Sequence, residues 1–214
     1  MAPVPSPTES RIILHGISWE TYERLLAEHV ESAGPRFTYD DGMLEIMILS
    51  VEHEKPNRTL ALFVEVLAED LGIDVVRAGS TTFKREDLLK GFEPDSCFYI
   101  QHAEAVQGRK RIDLTQDPPP DLVIKIDVTS PSLPRFPIFA AVGVPEVWRY
   151  DGSRVQFFKP DGGQYVEVEH SLALPPLTAA VATRFLKESE ETKSTVWLRT
   201  VREWARRQQS QSGI

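Results

Sequence analysis

The chain has 214 residues, a formal net charge of −8 and one cysteine, Cys97. Hydrophobic residues make up 41% of it and charged residues 26%, which is typical of a globular protein and excludes a fibrous or fully disordered chain. A single cysteine excludes an intrachain disulfide framework and predicts a reducing compartment, the cytoplasm. No apolar run approaches the roughly 20 residues that cross a bilayer, so we expect no membrane partner.

The ends of the chain suggest its domain organisation. Residues 1–10 are rich in proline and lack the basic and apolar pattern of a signal peptide, which predicts a disordered lead-in. Residues 11–214 are enough for a single domain with a complete core, ending in two helices. The acidic balance disfavours long contacts with nucleic-acid phosphates, which need Lys and Arg. We interpret the basic clusters at 109–111 and 199–207 as solvated or oligomer surfaces.

The first predicted elements are a helix and a β-hairpin. Residues 18–30 begin with a capping serine, Ser18, and carry apolar residues at helical spacing. Strand-like runs follow at 36–39 and 43–49, joined by Asp40-Asp41-Gly42. An Asp-Gly pair between two such runs predicts a hairpin turn.

A second helix is predicted over residues 54–71. Proline is comfortable only in a first helical turn, so the helix begins either near Pro56 or at Ser50 with a kink. Its apolar stripe, carried back by helical turns, puts His53 and Asn57 on the buried face near the N-terminal end.

The rest of the chain alternates between strands and helices around a central strand at residues 120–132. Residues 85–90 predict a polar connection with one helical turn, and residues 101–116 predict a surface excursion. Such alternation indicates a mixed sheet in an α/β or α+β domain. The other predicted strands are 73–78, 80–84, 97–100, 146–150, 155–159 and 165–168, and the other predicted helices are 135–142, 177–187 and 192–207.

The central strand carries charges where a sheet interior is expected. Apolar side chains stand at every second position from Leu122 to Val128, while Lys125 and Asp127 lie at intervening positions. The β-branched content favours a strand in the middle of a sheet, where both faces are covered. Charges there cost free energy unless they are paired or bind an ion. The strand therefore predicts a site.

Three segments supply residues that are suited to phosphodiester hydrolysis. Asp95 opens a strand, Lys125 and Asp127 lie on the central strand, and His53 projects from a helix with Asn57. Cation-assisted hydrolysis needs hard oxygen ligands and a positive group that offsets charge on the phosphorus. The same residues also fit structural roles, because Asp95 suits a turn, Lys125 and Asp127 an ion pair, and His53 a helix start.

An ordered set of motifs resembles a known family. Gly79-Ser80 is followed by residues 91–95, then 127–132, then 143–151, and this order is similar to that of the Uma-two family of restriction endonucleases. That family belongs to the PD-(D/E)xK nuclease superfamily, and the resemblance runs from about Ile17 to the C-terminal helices. It implies an α/β (α+β) fold with a restriction-endonuclease-like core, namely a mixed sheet flanked by helices, with additional antiparallel strands and C-terminal helices.

The resemblance also implies a magnesium- or manganese-dependent site, with Asp95 and Asp127 as metal ligands. At the position of Lys125 relatives carry glutamate, so this chain has exchanged a negative charge for a positive one. Either the metal affinity has suffered, or Lys-x-Asp offers the groups of Asp-x-Lys in exchanged order. Arg135 falls where many relatives carry lysine and could take the cationic role, and His53 matches a family histidine that faces the site.

Two functions from different classes remain open on the sequence. The first is a metal-dependent nuclease acting on nucleic acid, foremost DNA. The second is a non-catalytic interaction module that retains the nuclease fold, favoured by Lys125 and the acidic balance. A homo-oligomer, foremost a dimer built on the C-terminal helices, is compatible with both.

Overall fold

A computed structural model describes residues 10–29, 35–79, 81–128 and 133–212. The predicted lead-in lies outside these ranges except for Ser10, and so do Ser80 and residues 129–132 of the motif set. A single 3-10 turn at Glu86–Leu88 confirms the predicted helical turn. The other elements are β1 (Ser10–Leu14), α1 (Trp19–Glu28), β2 (Arg36–Asp40), β3 (Met43–Ile48), α2 (Val51–Leu71), β4 (Val76–Arg77), β5 (Phe83–Arg85), β6 (Lys90–Phe92), β7 (Ser96–Tyr99), α3 (Ala103–Val106), β8 (Leu122–Ile126), α4 (Phe136–Val142), β9 (Val147–Tyr150), β10 (Val155–Asp161), β11 (Gln164–Val168), α5 (Ala179–Glu191) and α6 (Ser194–Ser212).

The strands form two sheets. The first has the order β1-β3-β2-β6-β5 and is antiparallel throughout. The second has the order β11-β10-β9-β8-β7-β4, and in it β8 and β9 are parallel while the other pairs are antiparallel. A parallel pair needs a crossover, which α4 provides between β8 and β9. The fold is thus a mixed α+β arrangement with helices around two sheets, as the sequence predicts.

The predicted hairpin is confirmed as the pair β2 and β3. Asp40 faces Met43 across the ladder, which leaves Asp41 and Gly42 as a two-residue loop. Their φ angles are 43° and 85°. A two-residue loop with positive φ at both positions matches the right-handed twist of the strands, and Asp-Gly is a preferred pair for it.

Helix α2 follows the longer of the two predicted alternatives. Ser50 caps it by accepting a hydrogen bond from the backbone N–H of His53 at 3.3 Å, and Pro56 lies inside the helix. Proline contributes no N–H at that position, a local cost that tertiary packing offsets. The buried face of α2 carries His53 and Asn57 at its start, as the stripe predicts, and apolar residues further on.

The core lies on both faces of the second sheet. All five residues of β8 are buried, which confirms a central strand that is covered on both sides. Leu122, Ile124 and Ile126 pack with α2, α5 and α6, whereas Val123 packs on the other face with α4. A third, smaller cluster joins α1 to the first sheet; its members are Tyr22, Phe37, Tyr39 and Leu44.

Several predicted boundaries were wrong. The strand over 73–78 shrinks to β4, and the strand over 80–84 is β5, which begins at Phe83. The excursion over 101–116 contains α3 and buries Leu114, so it is not wholly at the surface. β1 and β6 were not predicted, because each is a short run whose strand character comes from pairing with distant residues.

No helix formed by the described residues combines the length and the apolar character needed to cross a membrane.

Gly91 is required by close packing. A Cβ atom there would lie 2.7 Å from ring carbons Cε1 and Cζ of Tyr22, and closer still to its hydroxyl oxygen. The ring cannot retreat, because Tyr22 is fully buried, stacked on Tyr39 at 5.0 Å and met edge-on by Trp19 at 5.2 Å. Only glycine at position 91 therefore allows α1 to pack against β6.

We expect Gly91→Ala to lower the free energy of unfolding by about 1–3 kcal/mol, the usual cost of overpacking a core. Urea denaturation followed by circular dichroism measures it. Tyr22→Phe is the matched control, because it removes only a buried hydroxyl that has no hydrogen-bond partner among the described residues. Combined with Gly91→Ala, it should recover part of the loss. An alanine variant as stable as the wild type would contradict the packing argument.

Candidate active site

Asp95 lies at the centre of the candidate site, just before β7. Its side chain is 2% exposed. Oδ2 accepts a hydrogen bond from the backbone N–H of Ile126 at 2.7 Å, and Oδ1 accepts one from Arg36 Nη1 at 3.0 Å. The main-chain carbonyl of Asp95 accepts a further hydrogen bond from Asn57 Nδ2 at 3.1 Å. One buried carboxyl residue thus joins β2, β8 and α2.

Lys125 projects from β8 into a group of oxygen atoms. Its Nζ atom lies 3.8 Å from Asp95 Oδ2 and 3.8 Å from Asp127 Oδ1, and it donates a hydrogen bond to the carbonyl oxygen of Ile126 at 2.7 Å. The residue is 5% exposed. The alternation along the strand therefore brings Lys125 and Asp127 to one side, as predicted.

Asp127 follows β8 directly and is the most accessible member of the set. Its side chain is 21% exposed, and Oδ2 accepts a hydrogen bond from Arg149 Nε at 3.0 Å. Its backbone N–H donates to the carbonyl of Tyr150 at 2.8 Å, which continues the pairing of β8 with β9. Asp127 is therefore held in place by the neighbouring strand.

His53 meets the same carboxylate from α2. The ring is fully buried, and Nε2 lies 3.5 Å from Asp95 Oδ2. That separation is longer than a good hydrogen bond, and neither ring nitrogen has a hydrogen-bond partner among the described residues. Asn57, one turn later, accepts a hydrogen bond from Ser96 Oγ at 2.8 Å. The helix thus contributes two polar residues to the cluster.

Burial and charge act in opposite directions on these groups. Burial raises the pKa of Asp95, but Lys125, His53 and Arg36 together hold that pKa well below its usual value. Burial lowers the pKa of Lys125, while Asp95 and Asp127 raise it in part. Asp95 is therefore a firmly ionised carboxylate.

Arg135 lies at the start of α4 and pairs with a residue that the sequence analysis missed. Its Nη2 atom donates to Oε1 of Glu45, a fully buried residue on β3. The other carboxylate oxygen of Glu45 accepts the backbone N–H of Leu133 at 2.7 Å. Arg135 contributes to lowering the pKa of Lys125, so it lies within electrostatic range of the site, but its ion pair is with Glu45.

A local signal could have revealed Glu45. It is the single acid in β3, whose other residues are all apolar, and a charge in such a strand is covered only when it has a partner. Arg36, at the start of β2, was missed too. Its role depends on Asp95, which lies 59 residues further along the chain.

Two arginines of the basic C-terminal cluster pair with acids of α2. Arg202 and Arg206 pair with Asp70 at 3.1 Å and 2.9 Å, and Arg202 also pairs with Glu69 at 3.1 Å. These contacts fasten α6 to the end of α2. The two arginines thus act within the chain.

The oxygen atoms around Lys125 are of the type that binds a hard divalent cation. Asp95 Oδ2, Asp127 Oδ1 and the carbonyl oxygen of Ile126 all face one point, and Mg²⁺ and Mn²⁺ prefer such oxygen ligands. That point is held by Lys125 Nζ. Within the described ranges, no group of three or more His, Cys, Asp or Glu side chains is arranged to hold a metal ion. These residues can therefore hold a divalent cation only if the ammonium group of Lys125 moves away.

Comparison with known proteins assigns the chain to a family. The family model Uma2, described as "Putative restriction endonuclease", matches residues 19–187, a range that contains every predicted site residue. The chain belongs to the Uma2 family. The resemblance noted in the sequence is thus confirmed, and membership supports a nuclease-like function and an interaction with nucleic acid. No curated protein matches the chain.

We expect Asp95→Asn to lower the free energy of unfolding of this Uma2 protein by about 3–5 kcal/mol at pH 7, because it leaves buried cations without their carboxylate. The pKa of Asp95 is depressed in the folded state, so its contribution is present above the unfolded pKa of about 3.9 and is lost as the pH falls further. The variant should therefore show a flatter loss of stability between about pH 4 and pH 2.

Urea denaturation at a series of pH values measures both effects. Asp87→Asn is the control, since Asp87 pairs with Arg85 at an exposed position where an ion pair contributes little. An Asp95→Asn variant with wild-type stability and wild-type acid sensitivity would show that the buried cations do not depend on this carboxylate.

Proposed function

We propose that this Uma2 protein is an endonuclease that hydrolyses phosphodiester bonds of nucleic acid, foremost DNA, with the help of Mg²⁺ or Mn²⁺. The observation that carries the proposal is the convergence of Asp95, Lys125 and Asp127 from two segments beside a buried histidine. Two carboxylates and a lysine supply the oxygen ligands and the positive group that cation-assisted phosphodiester hydrolysis requires, and the histidine is a further polar group beside them.

Each residue has a proposed task. Asp95 and Asp127 would hold the cation, which supplies Lewis acidity at the phosphate and favours formation of hydroxide from water when it is bound. Lys125, displaced from its place between the two carboxylates when the cation binds, would offset negative charge that builds up on the phosphate, and Arg135 would assist from its pair with Glu45. His53 has ring nitrogens without hydrogen-bond partners among the described residues, which suits a group that orients water or a phosphate oxygen.

The exposure of these residues suggests a direction of approach. His53 is fully buried and Asp95 nearly so, whereas Asp127 is 21% exposed. We therefore expect the scissile phosphate to arrive on the side of Asp127, with His53 at the inner end of the site.

Cleavage assays test the proposal. Supercoiled plasmid, single-stranded DNA and RNA are incubated with the purified protein in Mg²⁺ or Mn²⁺, and EDTA should abolish any cleavage. We expect Asp95→Asn and Asp127→Asn each to reduce the rate on the order of 100-fold or more, the usual scale for losing a group that stabilises the transition state. Asp87→Asn is the surface control. Cleavage that survives Asp95→Asn would show that this site is not responsible.

The second candidate is a non-catalytic interaction module that keeps the nuclease fold. The specific observation in its favour is the ammonium group of Lys125, which faces the oxygen atoms that would bind a metal. Cleavage assays on Lys125→Glu separate the two candidates, because this change provides the acid that relatives carry. Absence of cleavage by both the wild type and Lys125→Glu favours the module.

We further propose that the protein acts in the cytoplasm as a homo-oligomer, foremost a dimer, with its contact at β1 in place of the C-terminal helices considered on the sequence, because α6 packs against α2 within the chain. Cys97 is free and buried, which suits a reducing compartment. Among the described residues β1 is an edge strand. It has three exposed aliphatic residues, Ile12, Ile13 and Leu14, and an apolar edge favours pairing with a second copy.

Light scattering measures the mass in solution, for which we expect twice that of one chain. Ile12→Lys should shift the protein towards monomer, whereas Val196→Lys, at an exposed position on α6, should not. A monomeric wild type would rule out the dimer.

A further inference from the structure

Three oxygen atoms converge on a single lysine nitrogen in this protein. Lys125 Nζ lies 3.8 Å from a carboxylate oxygen of Asp95, 3.8 Å from one of Asp127 and 2.7 Å from the carbonyl oxygen of Ile126. We infer that the ammonium group of Lys125 occupies the cation position of the site and competes with a divalent metal ion for it. The inference rests on the proposed function, since that proposal is what makes these oxygens metal ligands.

The oxygen atoms are held by contacts that do not involve Lys125. The carboxylate of Asp95 is fixed by the Ile126 N–H at 2.7 Å and by Arg36 at 3.0 Å. Asp127 is fixed by Arg149 at 3.0 Å and through its own backbone N–H, which donates to β9. The oxygen atoms therefore stay close together when the lysine is replaced.

The ammonium group and a metal ion cannot share this position. Mg²⁺ binds oxygen at about 2.0–2.1 Å. The Ile126 carbonyl oxygen already accepts a hydrogen bond from Lys125 Nζ, so an ion bound to this oxygen would lie next to the ammonium group. Two cations so close would also repel each other strongly in a dry interior. Lys125 is 5% exposed and is the second-to-last residue of the buried strand β8. Its ammonium group therefore cannot reach water without losing its contacts with Asp95, Asp127 and the Ile126 carbonyl. The wild type should therefore bind divalent cations weakly.

A purely structural ion cluster gives a different expectation. If Lys125 only neutralises the two carboxylates, its removal destabilises the protein and creates no metal site. If Lys125 is a competitor, its removal uncovers three oxygen ligands that are already positioned. The two cases differ in metal affinity, which can be measured without any assay of hydrolysis.

The experiment is isothermal titration calorimetry with Mn²⁺ on the full chain. Lys125→Met removes the charge and keeps most of the aliphatic length, and Lys125→Glu adds an acid at the same place. We expect Lys125→Met to bind one Mn²⁺ at least about tenfold more tightly than the wild type, a difference of about 1.4 kcal/mol. Lys125→Glu should bind more tightly again. Adding Asp127→Asn to Lys125→Met should abolish the gain.

The matched control is Lys90→Met. Lys90 is a strand lysine paired with Asp40, so this change removes a comparable charge outside the candidate site. It should leave Mn²⁺ affinity as in the wild type. A general effect of reduced positive charge would instead raise the affinity of both methionine variants equally, which would overturn the inference.

Thermal unfolding with and without Mn²⁺ covers the case in which a variant folds poorly. A Lys125→Met or Lys125→Glu variant that gains helical circular dichroism and a higher Tm in Mn²⁺, but not in EDTA, supports the inference. Variants that bind no tighter than the wild type, or that stay unfolded in both conditions, overturn it. If Mn²⁺ affinity rises in the variants while no form of the protein cleaves nucleic acid, the proposed function fails and the competition stands.

Discussion

Asp95 carries its negative charge into the interior where β2, β7, β8 and α2 meet, and a buried carboxylate is tolerated only when donors and cations surround it. Its two oxygens use the Ile126 N–H and the guanidinium of Arg36, and Lys125 and His53 approach the same group. These partners come from three parts of the chain, namely β2, α2 and β8. The carboxylate therefore sets where the helix and the strands stand relative to one another, and every other feature of the site follows from that arrangement.

Such a cluster is a poor way to gain stability. Desolvating several charges costs about as much as their mutual attraction returns, and well-packed apolar residues of similar volume often serve a fold at least as well. Here β8 sits between two large apolar clusters, yet it carries a buried lysine beside the carboxylates of Asp95 and Asp127. The charges at this position are therefore better explained by what they bind than by what they stabilise. This argument applies equally to a nuclease and to a module that binds without cleaving.

The parts of the site that local patterns predict differ from the parts that they miss. The alternation along β8 placed Lys125 and Asp127 together, and the stripe of α2 placed His53 on the buried face, because both rules act within one element. Glu45 is recognisable locally as the single acid of β3, but its pairing with Arg135 could not be predicted, since the two lie 90 residues apart and no periodicity connects them. β1 and β6 were not predicted for the same reason, because short runs become strands only through pairing with distant segments.

The order of the two charges along β8 is itself consequential. Lys-x-Asp contains the same groups as Asp-x-Lys, but the two positions are not equivalent in the fold. The main-chain N–H of residue 126 holds the carboxylate of Asp95, and the side chain of residue 125 reaches that carboxylate directly. Asp127 instead faces Arg149 and the more exposed side. An exchange along the strand therefore moves a positive charge to the inner position, between the acids, and leaves the second acid at the rim. The order Lys-x-Asp thus determines where a cation can stand, even though Asp-x-Lys would contain the same residue types.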